Sequence, residues 1–179
     1  LGDILANGPK DLSERLGEEA ASCFLHVKNQ PLPLHDVRWK TGMGIGFALS
    51  PTGADHQHNI HDPMYSNEEA PTFSAARNMG ILDPVDNLKL GPAKARLWLY
   101  MTMFRSLPNS VRTCNFTFFS LDQMVDLVKA ATGWNVSSWE LVKCAERALN
   151  MARAFNTREG FRVEEDDLPK RFFTPLKGG

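Results

Sequence analysis

The chain has 179 residues, 42% of them hydrophobic and 23% charged, which is the composition of a folded globular protein and excludes disorder as its main state. Its 20 basic and 21 acidic residues leave a formal charge of -1, so no bulk field draws it to nucleic acid or to an anionic membrane surface. The apolar runs are too short for a membrane helix, and the three widely spaced cysteines, Cys23, Cys114 and Cys144, suit a reducing compartment, here the cytoplasm, better than a disulfide framework.

In chain order, residues 1 to 20 read as a helical lead-in broken at Gly8-Pro9, with Leu1, Ile4, Leu5, Leu12 and Leu16 on one stripe. Cys23 to Lys28 reads as a lone strand followed by the turn formers Asn29, Pro31 and Pro33. Residues 40 to 50 predict an apolar helix stopped by Pro51, and its Gly42, Gly44 and Gly46 let the backbone approach another chain segment or a flat cofactor closely. The spacing of these glycines lacks the strand-turn-helix setting of a dinucleotide site.

From Gly53 to Leu90 the pattern predicts loop with one short helix near Ser74 to Met79. Residues 92 to 107 open with Pro92 in a first turn and place Leu97, Tyr100, Met101 and Phe104 on one face of a buried helix. Pro108 to Phe119 is expected to be a buried loop ending in the aromatic NFTFF. Two capping boxes, Ser120 with Gln123 and Ser137 with Glu140, open the two firmest helices, and Gly133 closes the first of them. Residues 156 to 179 are expected to be irregular and on the surface. With no βαβ alternation, the fold class is mostly α, an irregular helical bundle with long loops.

Two constellations carry chemistry. Asp55, His56, His58, His61 and Asp62 fall within eight residues and are ligand types for zinc or iron, yet their spacing fits no standard zinc motif, so a polar loop or a proton-transferring histidine are the competing readings. Cys114 sits in NSVRTCNF; without a CxxC pair, a small buried side chain is the ordinary role for it, as for Cys23 and Cys144.

Four blocks then agree in order and spacing: LGDILANG with LSERLG, HVKNQPLPLHDVR, GMGIGFALSPTGADH at 42 to 56, and NTREGFRVEEDDLPKRFF at 156 to 173. Together they resemble the C-terminal helical part of the tungsten-containing aldehyde:ferredoxin oxidoreductase family, over most of the chain. The resemblance implies an internal fragment, beginning at Leu1 without an initiator Met, of an enzyme that oxidises a small aldehyde or related carbonyl compound to the acid with ferredoxin as acceptor. It implies a tungsten bis-pterin, or its molybdenum counterpart, beside a [4Fe-4S] cluster in the full-length parent, with an N-terminal domain of the same chain as partner. The isolated fragment is expected to be inactive and to hold neither group.

Under this resemblance residues 1–107, with the long loop 51–91, correspond to one family helical domain and 108–179 to the next. The block SPTGADH puts Asp55 and His56 at the substrate cavity as catalytic residues. The family's pterin-contact motif, Asp-x-x-Gly-Leu-Cys, falls on Asn109 to Cys114: Cys114 matches the cluster ligand, while Asn109, Arg112 and Thr113 take the cofactor-contact positions with changed side chains. A non-catalytic helical interaction module that has lost cofactor binding is the rival reading, suited by those changes.

Overall fold

The computed structural model of the chain describes residues 2–70 and 72–176. α1 is Gly2–Ala6, α2 Pro9–Leu16, α3 Glu18–Ala21, α4 Thr41–Leu49, α5 Phe73–Asn78, α6 Pro92–Ser110, α7 Leu121–Thr132 and α8 Ser138–Arg158, with a minimal hairpin of β1, His26–Val27, and β2, Gln30–Pro31. The mostly α reading holds. Among the described residues no helix is long and apolar enough to cross a membrane.

Both capping boxes form: Ser120 and Ser137 accept the N–H of Gln123 and Glu140, whose side chains return to the cap N–H groups. Each satisfies helix-end donors that would otherwise face water or nothing. Gly133 ends α7 at φ 71, in the left-handed region where a residue without Cβ is unstrained.

Packing falls into three apolar clusters. Phe73, Ile60, Leu97 and Met101 join α5, α6 and the loop before them. Val27, Val37, Met43 and Phe47 join the hairpin to α4. Leu107, Met124, Leu141 and Ala145 join the end of α6 to α7 and α8. α6 thus belongs to two clusters, and residues 107 and 108 both lie inside it.

The structure departs from several sequence expectations. The lone strand is half of a hairpin, because Lys28 and Asn29 both take positive φ (50 and 63) and so make a two-residue turn matched to strand twist. The lead-in is three short helices instead of one broken helix, divided at Gly8 (φ 88) and Gly17 (φ 85); Leu1 lies outside the described residues. The helix expected to stop before Pro108 runs on to Ser110: a missing N–H costs one bond in the last turn, and the buried Leu107 and Pro108 hold that turn against α7 and α8. The expected buried loop after it is on the surface, with Phe116 and Phe118 each 69% exposed.

Residues 156–158 still belong to α8 and 177–179 lie outside the described residues; between them the C-terminal segment is irregular as expected, yet it is pinned instead of lying loosely on the surface. The Asp166 carboxylate accepts from Lys28 at 2.7 Å and Arg153 at 2.5 Å, Lys28 also donates to the carbonyl of Ala48, and Leu168 and Phe172 pack on the cluster around Phe47. The charge-assisted bonds from Arg153, then Lys28, hold the Asp166 carboxyl down to about 2 against the opposing effect of burial. A depressed carboxylate stabilises the fold above its unfolded value near 4 and loses that contribution as pH falls toward 2. Asp166→Asn should therefore cost about 3 kcal/mol near neutral pH by leaving the buried Lys28 ammonium without its counter-charge, and the deficit should shrink as pH drops through 4 to 2. Thermal unfolding of both proteins across that pH range checks it.

Candidate active site

α4 reads TGMGIGFAL, and its glycines let the following loop lie directly on the helix. A Cβ on Gly46 would meet the Asn59 side chain at 2.0 Å, and one on Gly42 would meet Ile60 at 2.5 Å and Asp62 at 2.7 Å. Close packing of chain on chain is therefore what these glycines serve. Asn59 donates to the Met43 carbonyl at 2.9 Å and accepts from Ile60 N–H at 2.8 Å. The fully buried Asp62 accepts from the N–H groups of Gly42 at 2.8 Å and Met43 at 3.0 Å and pairs with the buried ammonium of Lys94. Since Lys40 at the N-cap offers no acceptor, Asp62 caps α4 from a distant segment and meets the positive end of its dipole.

That anchoring fixes residues 55 to 61. Asp55 accepts from Gln57 N–H at 2.7 Å and bonds His58 Nδ1 at 2.5 Å, while His58 Nε2 meets the side-chain amide of Asn109 on the last turn of α6. The bond to Asp55 raises the His58 pKa against partial burial, and the same bond lowers that of Asp55. These three side chains stand in the wall of a cavity of about 660 Å³ whose remaining surface is mostly apolar, with Leu49, Met103 and Leu149 from α4, α6 and α8.

His56 sits elsewhere. Its ring lies 5.3 Å from that of His35 and 6.0 Å from that of His61, and its Nε2 is 2.9 Å from the Gln57 side-chain amide. Of the two residues expected to be catalytic, Asp55 lines the cavity and His56 belongs to this separate histidine cluster. The resemblance points to Asp55 and His56 and not to His58, for which the Asp-x-x-His spacing is the available signal. Among the described residues no group of three or more His, Cys, Asp or Glu is placed to hold a metal ion.

The loop after α6 carries the other expected site residues. Arg112 takes φ 60, the left-handed conformation that a Gly in its place would adopt without strain, and its side chain is exposed. Thr113 N–H closes onto the Pro108 carbonyl at 2.8 Å, while its hydroxyl is buried without a partner among the described residues, as is the side-chain oxygen of Asn115 on the other side of Cys114. Cys114 is exposed, and its sulfur accepts the Phe116 N–H at 3.5 Å. Cys23 is exposed at the end of α3 and Cys144 half-buried within α8, so neither is the fully buried side chain expected.

Comparison with known proteins places this geometry in context. The family model described as aldehyde ferredoxin oxidoreductase, domains 2 and 3, matches residues 1–179. The chain is 33% identical over 174 residues to the tungsten-containing aldehyde ferredoxin oxidoreductase of Pyrococcus abyssi, and 32% identical over 175 residues to that of Pyrococcus horikoshii. It is 31% identical over 175 residues to the enzyme of the same name from Thermococcus kodakarensis. Each match takes in 96% of this chain, which spans about a quarter of the length of these curated relatives, 26% of the first two and 27% of the third.

Proposed function

The chain belongs to the aldehyde ferredoxin oxidoreductase family, over the part described as its domains 2 and 3, and on that premise we propose that it is the helical wall of an enzyme oxidising an aldehyde to the acid with ferredoxin as electron acceptor. Residues 1–107 and 108–179 serve as the two helical domains and meet along α6. The rest of the polypeptide supplies the remaining cofactor ligands.

The observation that carries this reading is the setting of Cys114. A cluster ligand must be an accessible thiolate held at fixed distance, and backbone N–H groups pointing at its sulfur are the usual means of tuning it. Cys114 is exposed, on a loop tied at both ends, with the Phe116 N–H on its sulfur. These residues fit one thiolate corner of a [4Fe-4S] cluster. Toward a pterin, Asn109 is committed to His58, whereas the exposed Arg112 has no partner among the described residues and suits a phosphate.

Bound here, a tungsten–pterin group with its cluster would supply the two-electron oxidation and pass the electrons outward one at a time. The chain's own residues do the rest. Conversion of an aldehyde and water to an acid releases two protons with the two electrons. His58 accepts a proton at Nε2, exchanging its contact with the Asn109 amide for it, and Asp55, already bonded to Nδ1, stabilises the imidazolium so formed. The apolar walls hold the body of the aldehyde and exclude competing water.

In the full-length protein, Cys114→Ser should change or abolish the cluster's EPR signal while Cys144→Ser leaves it as it was. An unaltered signal in Cys114→Ser would remove the central support of this reading.

A further inference from the structure

The histidine cluster contains a cation, Lys40, that has no carboxylate partner among the described residues. Lys40 Nζ lies 3.3 Å from His35 Nδ1 and 3.4 Å from His61 Nδ1, and the two rings meet edge to face at 5.0 Å. An ammonium has donors only, so both Nδ1 atoms must accept from it. Each ring is thereby fixed in the tautomer that carries its proton on Nε2, and neither Nε2 has a hydrogen-bond partner among the described residues.

Three carboxylates close in sequence to these side chains are already committed: Asp36 to Arg38, Asp55 to His58, Asp62 to Lys94. Arg105 adds a second positive charge acting on His61, donates to the Gln57 carbonyl at 3.3 Å, and has no carboxylate partner among the described residues either, its buried Nε finding no partner there. A half-buried set of donors around two uncompensated cations is costly unless an anion completes it.

We propose that Lys40, His35 and His61 form a binding site for a small carboxylate, the acid group that the oxidation proposed above releases. The ammonium and the two Nε2–H groups offer charge-assisted bonds to the two carboxylate oxygens. The choice of a carboxylate over other anions rests on the proposed reaction; the anion-binding character rests on the side-chain geometry alone.

The test is calorimetric titration of the full-length protein with propionate and, separately, with inorganic phosphate. Wild type should bind propionate saturably. Lys40→Met should bind it about tenfold more weakly or worse, the loss expected for a hydrogen bond between charged groups, whereas loss of the exposed Arg147 in Arg147→Met should change nothing. His61→Phe, which removes one donor and keeps the lysine, guards against a folding defect in Lys40→Met and should also weaken binding. Absence of saturable propionate binding in wild type, unchanged affinity in Lys40→Met or His61→Phe, or binding of phosphate with propionate excluded would each overturn the proposal. Aldehyde oxidation measured on the same preparation keeps the two readings apart. Oxidation without carboxylate binding removes this site alone, and Lys40-dependent binding without oxidation removes only the reaction.

Discussion

Asp62→Asn should cost about 3–5 kcal/mol, since it uncouples a fully buried ion pair. The side chain keeps its shape, but the fully buried Lys94 ammonium loses its counter-charge and one N–H of the first turn of α4 loses an anionic acceptor. An uncompensated buried cation is far more expensive than a missing pair, so Lys94→Met combined with Asp62→Asn should recover much of the loss. Denaturant unfolding of wild type, both single variants and the double variant measures this. A double variant no more stable than Asp62→Asn would show that the ammonium is not the source of the cost.

Gly46→Ala should cost about 3 kcal/mol although it adds one methyl group, since overpacking and broken buried hydrogen bonds add together. The new Cβ would lie within 2.1 Å of three Asn59 side-chain atoms, and Asn59 is itself buried. Displacing it leaves the Ile60 N–H without its bond in the interior and moves residues 58 to 60 away from α4. Because His58 is next in the chain, the contact with Asn109 should loosen as well, so under the reaction proposed above a drop in turnover of the full-length protein should accompany the loss of stability. Gly2→Ala serves as the control: a Cβ there meets nothing within 4 Å, so the change should be neutral or slightly stabilising. Comparable unfolding midpoints for the two variants would refute the packing role assigned to Gly46.

Local chemistry made much of the architecture legible. Helix periodicity with Ser120, Gln123, Ser137, Glu140 and Gly133 marked α7 and α8 nearly to the residue, because caps and C-terminal glycines act within a few positions of sequence. The family was equally readable, since the resemblance rested on four ordered blocks, and the match extends over the whole chain. The surroundings of Cys114 were half legible: its place in a loop followed from composition, but that loop was expected to be buried and is exposed.

What the sequence alone could not decide was everything made by contacts between distant segments. Continuation of α6 through Pro108 depends on burial of its last turn against α7 and α8, which outweighs the local rule for proline. Pinning of the C-terminal segment depends on Asp166 meeting Lys28 and Arg153, which lie 138 and 13 residues away. The choice of His58 over His56 at the cavity wall was settled in the same way. Both are polar loop histidines two residues apart, and only the seating of residues 59 to 62 on the glycine face of α4 turns one ring toward Asn109 and the other toward His35 and His61. Periodicity, caps and motifs are short-range properties and determined the elements and the family; the pairing of charges and the direction of each functional ring are long-range, and tertiary packing alone decided them.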